Sequence, residues 1–134
     1  MKILLIFFIF FIDCLSATDF AQKIEVVLKK DEKKVFNIKY QDKVKLFEFR
    51  WTLYKNNGLV IHRAYDKIVA QNVLYLRDKN QSFRVELKAR GEDFYDLPYL
   101  LVQFKEFKKE SKEAAFELFL WDRQNQIYIE EPKK

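Results

Sequence analysis

The sequence predicts an all-β fold, an antiparallel β-sandwich of immunoglobulin-like type, with a small closed β-barrel as the alternative. Three observations favour it. Apolar residues recur with a period of two, polar segments of turn length separate the apolar runs, and the composition is that of a globular domain. The chain has 134 residues, 17% of them aromatic, with only two Gly and two Pro. This composition excludes collagen-like and disordered chains.

The N-terminal segment, residues 1–17, has the pattern of a secretory signal peptide. A positive start at Lys2 precedes ten uninterrupted apolar residues, ILLIFFIFFI, and the small residues Ser16 and Ala17 follow. This order of a basic start, an apolar core and small residues is typical of export signals. Ten residues in a helix are too short to cross a hydrocarbon layer of about 30 Å. We therefore expect an exported single domain at 18–134, periplasmic or secreted, with no transmembrane span after signal removal.

Two processing routes compete at this signal. Cleavage after Ser16 places Cys14 and Ser16 at the two positions that prefer small residues, while cleavage after Ala17 places Leu15 there. The alternative is a lipoprotein anchored through Cys14, although Asp13 stands where a small residue usually precedes such a cysteine. Either route leaves the mature domain without a free cysteine, because Cys14 is the single one. Disulfides and Cys metal ligands are then excluded.

Eight or nine strands follow along the mature chain. The clearest is Phe83-Arg84-Val85-Glu86-Leu87-Lys88-Ala89-Arg90, which alternates apolar and charged residues throughout. In a strand this alternation places all four apolar side chains on one face, whereas a helix would scatter them. The candidate strands are residues 24–28, 36–40, 47–53, 59–63, 73–76, 83–90, 100–104, 115–121 and 127–129.

The segments between these strands have the composition of turns. Asn56-Asn57-Gly58 is the strongest local signal, because Asn-Gly readily supplies the positive φ angles of a tight hairpin. Residues 29–34, 77–81 and 122–126 are polar breaks of hairpin-loop length. The segment 104–118 also suits a short amphipathic helix, but the alternation of Phe116, Leu118 and Leu120 favours a hairpin with its tip at 108–113.

Residues able to carry catalysis are scarce. His62 is the only histidine and has no evident partner, and two glycines cannot form a phosphate-binding loop. The acids Glu92, Asp93 and Asp96 are the densest carboxylate group, yet their spacing matches no calcium loop. We therefore expect no enzyme, no catalytic residue, no metal and no cofactor.

The best candidate for recognition is a loop with four large apolar side chains in six residues: Phe94, Tyr95, Leu97 and Tyr99. Exposed loop aromatics are enriched at interfaces. The competing interpretation is that these residues fold back and close one end of the sandwich, as tyrosine corners do. A weaker second cluster is His62, Arg63, Tyr65 and Asp66.

The net charge of +5 is spread along the chain and is not concentrated in one segment. The lysine-rich segments 29–34 and 105–113 are interleaved with Asp and Glu, which is typical of solvated hairpin tips and not of a phosphate-binding stripe. We expect no nucleic acid as partner. A weak attraction to anionic envelope polymers is compatible with the charge.

Residues 49–60 (FRWTLYKNNGLV), with 91–95 and 98–100, resemble small exported proteins of Campylobacter- and Helicobacter-type bacteria. The resemblance covers about half of the mature chain and implies a periplasmic setting without implying an activity. We expect a non-enzymatic binding or protein-interaction module whose partner is another envelope protein. It would use the 91–99 loop or an exposed sheet edge. The alternative is a carrier of a small apolar ligand, held in a barrel or sandwich cavity.

Overall fold

The described part of the chain contains nine β-strands. The structure, a computed structural model, describes residues 20–87 and 97–133. Within these ranges there is no helix, so none is long and apolar enough to cross a membrane. The strands are β1 (Gln22–Lys29), β2 (Lys34–Tyr40), β3 (Lys43–Lys55), β4 (Gly58–Tyr65), β5 (Ile68–Tyr75), β6 (Ser82–Glu86), β7 (Tyr99–Lys108), β8 (Glu113–Trp121) and β9 (Ile127–Glu130).

These strands form two antiparallel sheets, which confirms the predicted β-sandwich. Sheet A has the order β1-β8-β7-β6, and sheet B has the order β5-β4-β3-β2-β9. The sheets do not close into a barrel, so the alternative of a small closed barrel is wrong. The physical reason is that each sheet keeps two edge strands, β1 and β6 in sheet A and β5 and β9 in sheet B, and no backbone ladder joins the two sheets within residues 20–87 and 97–133.

The core lies between the sheets and is built by the period-two pattern. Phe83 and Val85 of β6 point inward with 5% and 3% exposure, while Arg84 between them is exposed. Aromatic rings from both sheets meet in the middle of this layer. The Phe49 ring of sheet B lies 5.2 Å from the Phe116 ring of sheet A, edge to face, a geometry that aromatic pairs favour. In β6 the predicted alternation therefore identifies the core-facing residues correctly, whereas in β3 it breaks at the register shift between Trp51 and Leu53, which leaves Leu53 48% exposed.

Trp51 fixes the position of β1 against sheet B. Its indole is buried, and the Nε1–H donates to the carbonyl of Leu28 in β1 at 2.8 Å. The backbone carbonyl of Trp51 accepts a hydrogen bond from the N–H of Asp31 at 2.9 Å. A buried indole N–H is costly without a partner, so this pair orients the two strands relative to each other.

The turns follow the predicted chemistry with one correction. In the hairpin between β3 and β4 the two central residues are Asn56 and Asn57, with φ of 52° and 63°, as a type I′ turn requires. Gly58 is not one of the two central residues. It is the first residue of β4 and pairs with Lys55. Asparagine tolerates the left-handed region, so this turn does not require glycine at a central position. The β7–β8 hairpin has its predicted tip, since Lys108 pairs with Glu113.

Candidate interaction surfaces

The predicted recognition loop is only partly described. Phe94 and Tyr95 lie outside the described residues, as do Glu92, Asp93 and Asp96. Leu97 is half-buried and precedes β7. Tyr99 is the first residue of β7 and is also half-buried. The structure therefore locates two of the four predicted side chains.

The ring of Tyr99 is held between two side chains on the outer face of sheet A. The guanidinium carbon of Arg84, on β6, lies 3.8 Å from the ring centroid. The ring of Trp121, on β8, is stacked at 6.0 Å with an interplanar angle of 19°. Because β7 lies between β6 and β8, these neighbours approach Tyr99 from opposite sides. The Tyr99 ring is thus engaged by side chains of both neighbouring strands.

The same row continues across sheet A. Phe20 contacts Trp121 edge to face at 5.9 Å and Phe119 at 5.0 Å. Lys23 and Arg123 lie over the Phe119 and Trp121 rings at 5.9 Å and 5.4 Å. Cross-strand aromatic and cation–π pairs of this kind stabilise a sheet by fractions of a kcal/mol, on the order of 0.5 each. These rings therefore form a continuous row on the outer face of sheet A and contact one another and nearby basic side chains.

The second predicted cluster connects the two sheets. Arg63 donates from Nε to Oδ1 of Asn72 at 2.7 Å, and its guanidinium lies 4.9 Å from the Phe83 ring of sheet A. Partial burial lowers the pKa of Arg63. Tyr65 donates its hydroxyl hydrogen to the carbonyl of Leu87 at 2.8 Å. Burial, with a smaller contribution from the charge of Asp66, raises the pKa of Tyr65 to about 12. These contacts tie sheet B to sheet A.

His62 is exposed on the outer face of sheet B, opposite Arg50 on β3 and Gln71 on β5. Within residues 20–87 and 97–133, no group of three or more His, Cys, Asp or Glu side chains is arranged to hold a metal ion. The described part of the chain therefore offers no assembled metal centre.

The most exposed apolar side chains lie on β5, which forms one edge of sheet B. Ile68 is 75% exposed and Val69 80% exposed. Natural edge strands are usually short, charged or interrupted by proline, because an open edge invites pairing with another chain. β5 has none of these features, since its eight residues, IVAQNVLY, contain no charge and no proline. Of the four sheet edges in the described structure, β5 alone is uncharged.

β5 is longer than the strand predicted at 73–76, which covers only its second half. Ala70, Gln71 and Asn72 interrupt the apolar alternation and weaken the strand signal. Pairing with β4 in the hairpin overrides this local preference, since Tyr65 pairs with Ile68 across the turn at Asp66 and Lys67. The available signal was the run of uncharged residues from 68 to 76 in a chain that is 34% charged.

The backbone of β5 presents hydrogen-bonding groups away from the sheet. The N–H of Tyr75 points away from β4, because it donates to the carbonyl of Asn80 at 3.0 Å. Paired residues of antiparallel strands alternate between facing the partner and facing away. Val69, Gln71 and Val73 stand at even spacing from Tyr75 and so direct their N–H and C=O groups outward. No other strand among the described residues pairs with this side of β5, and these three residues are called the open edge of β5 below.

Comparison of the chain with protein-family models, with curated proteins and with solved structures gives no match.

Proposed function

We propose that the protein is a non-enzymatic protein-interaction module of the cell envelope, which binds a protein of the same compartment by strand addition at the open edge of β5. The observation that carries the proposal is the uncharged edge, which no other described strand pairs with, and its outward N–H and C=O groups at Val69, Gln71 and Val73. In strand addition these main-chain groups provide affinity, and the side chains on alternate positions provide selectivity.

Apolar side chains beside β5 support this assignment. Leu53, Val60 and Val73 are aligned across β3, β4 and β5 on the outer face of sheet B. Leu53 and Val73 are 48% and 40% exposed. An added strand would place its own side chains beside this row and remove apolar area from water, which favours binding by about 25 cal/mol per Å².

The core favours an interaction module over the ligand carrier. A carrier needs an internal cavity, which a closed barrel of eight strands supplies. Here two open sheets face each other, and between them the Phe116 ring contacts the rings of Phe49 and Phe104 at centroid distances of 5.2 and 5.9 Å. The immunoglobulin-like subtype stays a prediction. The meanders β2–β5 and β6–β8 differ from the Greek-key connections typical of that fold.

The compartment is part of the proposal and rests on residues 1–17. An export signal predicts that the protein isolated from the envelope fraction begins at Ala17 or Thr18, or at a lipidated Cys14. N-terminal sequencing and intact mass distinguish these outcomes. A cytoplasmic protein that retains Met1 would contradict the envelope assignment.

The binding proposal is tested by site-specific photo-cross-linking in intact cells. A photoreactive amino acid at position 71, on the open edge, should give a defined covalent adduct with a protein, and Val69→Lys should abolish that adduct. A lysine on an edge strand discourages strand addition. Val27→Lys is the matched control, because Val27 is a 44%-exposed valine on the edge strand β1. An adduct that survives Val69→Lys, or none at all, would remove the support for β5 as a binding edge.

A further inference from the structure

We propose that the partner which β5 receives is the β5 strand of a second copy of this chain. The two strands would pair antiparallel about a two-fold axis at Gln71, extending sheet B from five strands to ten. This inference rests on the proposed function and specifies its partner. Isologous contacts of this kind are the commonest way in which identical chains associate.

The backbone of β5 is self-complementary in one register. In a two-fold antiparallel pair centred on Gln71, Val69 faces Val73 of the second copy, Gln71 faces its own equivalent, and Val73 faces Val69. All three outward residues on each strand then meet outward residues, which gives about six inter-chain hydrogen bonds. No outward group of the open edge is left without a partner.

Neighbouring registers are less favourable. A shift centred on Asn72 requires the backbone of Tyr75, whose N–H already donates to the carbonyl of Asn80. A shift centred on Ala70 requires Lys67, which lies in the turn before β5 with a φ of 68°. A shift by one residue would place the side chains on one face of a strand opposite side chains on the other face of its partner. The structure therefore selects the register centred on Gln71.

The side chains of β5 are compatible with self-pairing. Directly opposed like charges destabilise cross-strand pairs, and β5 carries no charge. On the outer face Val69 would lie against Val73 of the second copy. On the core-facing side Ile68, which is 75% exposed in the single chain, would lie against Leu74 of the second copy. A highly charged peptide would find no complementary charge on this strand, whereas a second β5 supplies matching apolar residues.

Disulfide trapping tests the register. The protein is expressed with residues 1–134 and purified in the form to which the cell processes it. Gln71→Cys places two cysteines across the axis with Cα atoms about 5.5 Å apart, within the range of a disulfide. Mild oxidation should convert most of this variant to a covalent dimer. Peptide mass mapping should show a 71–71 bridge, which distinguishes it from any bridge through Cys14.

The matched control is Val69→Cys. In the proposed register its two copies are separated by four residues along the strands, about 13 Å, so it should not bridge to itself. Mixing Val69→Cys with Val73→Cys should restore bridging, because these positions face each other. Equal bridging of Val69→Cys alone would indicate random collision and would overturn the inference.

Charge complementation provides a second test that leaves the fold intact, since Gln71 is exposed. Gln71→Lys and Gln71→Glu each place like charges opposite each other at the axis. Each variant alone should raise the dimer dissociation constant by about tenfold, and an equal mixture of the two should recover most of the loss. Sedimentation velocity over a concentration series measures this. A heterologous partner would show no such reciprocal rescue.

The outcomes separate the two proposals. If the protein sediments as a monomer and Gln71→Cys does not bridge, the second copy is excluded as the partner. The binding edge itself would still stand if the cellular adduct at position 71 contains another protein and disappears with Val69→Lys. If neither self-bridging nor a Val69-dependent adduct occurs, both proposals fail.

Discussion

The side-chain amide of Gln22 and the backbone of Ile129 exchange two hydrogen bonds. Gln22 Nε2 donates to the Ile129 carbonyl at 2.8 Å, and the Ile129 N–H donates to Gln22 Oε1 at 3.1 Å. This is the reciprocal pattern of a residue pair in an antiparallel ladder, with a side-chain amide in place of one peptide group. It joins β1 of sheet A to β9 of sheet B across 107 residues of sequence. The outward N–H and C=O groups of Ile129 at the edge of β9 are thereby hydrogen-bonded.

Replacing Gln22 should destabilise the fold more than its position near the start of the domain suggests. Gln22→Ala removes both bonds, at about 1 kcal/mol each, so we expect a loss of about 2 kcal/mol in the free energy of unfolding. Gln22→Glu keeps an acceptor for the Ile129 N–H but sets a carboxylate oxygen against the Ile129 carbonyl, so it should not rescue stability. Equilibrium urea unfolding measures both variants.

The control for this prediction is Gln124→Ala. Gln124 is exposed in the connection between β8 and β9, and a surface substitution of this kind typically changes stability by less than about 0.5 kcal/mol. If Gln22→Ala unfolds at the same urea concentration as Gln124→Ala, the Gln22 amide contributes nothing to joining the sheets.

Asp122 organises the last connection of the fold. Its side chain is buried, and Oδ2 accepts the N–H groups of Gln126 and Ile127, both at 2.7 Å. Hydrogen bonds to a charged acceptor contribute about 1.5–3 kcal/mol each, and Asp122→Ala would leave two backbone donors without a partner. We therefore expect a loss of about 3 kcal/mol in thermal or urea unfolding.

Asp122→Asn discriminates between loss of the carboxylate charge and loss of the acceptor. The amide keeps one acceptor oxygen, so this variant should lose less stability than Asp122→Ala. Asp78→Ala, at an exposed loop position, should leave stability unchanged. Equal losses for Asp122→Asn and Asp122→Ala would indicate that charge, and not the acceptor, holds the connection.

The strands of this protein were predictable where burial follows a strict alternation. Phe83 and Val85 point inward because only their face of β6 can enter the core, and the intervening charge excludes the other orientation. β5 was predicted poorly for the opposite reason. An edge strand paired on one side is held by the register of its hairpin, and Ile68 and Val69 are exposed, so their apolar character does not mark a core face.

The candidate site was less predictable than the fold. Tyr99 was selected because it lies in an aromatic segment, but its neighbours Arg84 and Trp121 come from strands distant in sequence, so their stacking on its ring is visible only in three dimensions. Sheet order likewise decides that β5 is an edge. A sequence pattern specifies which side chains face inward but not which strand stands last in a sheet.

Gly58 and Tyr75 form a close contact that a double-mutant cycle can measure. A Cβ atom at Gly58 would lie 2.9 Å from Cε1 of Tyr75, on the neighbouring strand β5. The φ of Gly58 is not positive, so the backbone itself accepts alanine. Gly58→Ala should therefore destabilise the wild-type protein by about 1 kcal/mol, through displacement of the ring.

In the Tyr75→Ala background the same substitution should become neutral or stabilising by up to about 1 kcal/mol, because alanine restricts the unfolded chain more than glycine does. Urea unfolding of the four variants gives the coupling energy. An equal cost of Gly58→Ala with and without the Tyr75 ring would show that the backbone, and not the ring, requires glycine.

The ionisation of Tyr65 makes the free energy of unfolding depend on pH in the alkaline range. Its hydroxyl is half-buried and donates to the carbonyl of Leu87, a bond that requires the neutral phenol. Burial and the nearby Asp66 raise its pKa from 10.0 to about 12 in the folded state. Between about pH 10 and 12 the unfolded state has lost this proton while the folded state retains it. The unfolded state then binds fewer protons, so the contribution of Tyr65 to the free energy of unfolding falls as pH rises through this window.

Comparison with Tyr65→Phe isolates this contribution. At pH 8 the variant should be less stable than wild type by about 1 kcal/mol, because the hydrogen bond to Leu87 is lost. The difference should shrink between pH 10 and 12, since phenylalanine cannot ionise. Tyr128→Phe is the control for removal of a phenol hydroxyl, because Tyr128 is 58% exposed, and it should change stability at pH 8 by less than about 0.5 kcal/mol. A Tyr65→Phe difference that is independent of pH up to 12 would show that Tyr65 ionises alike in both states.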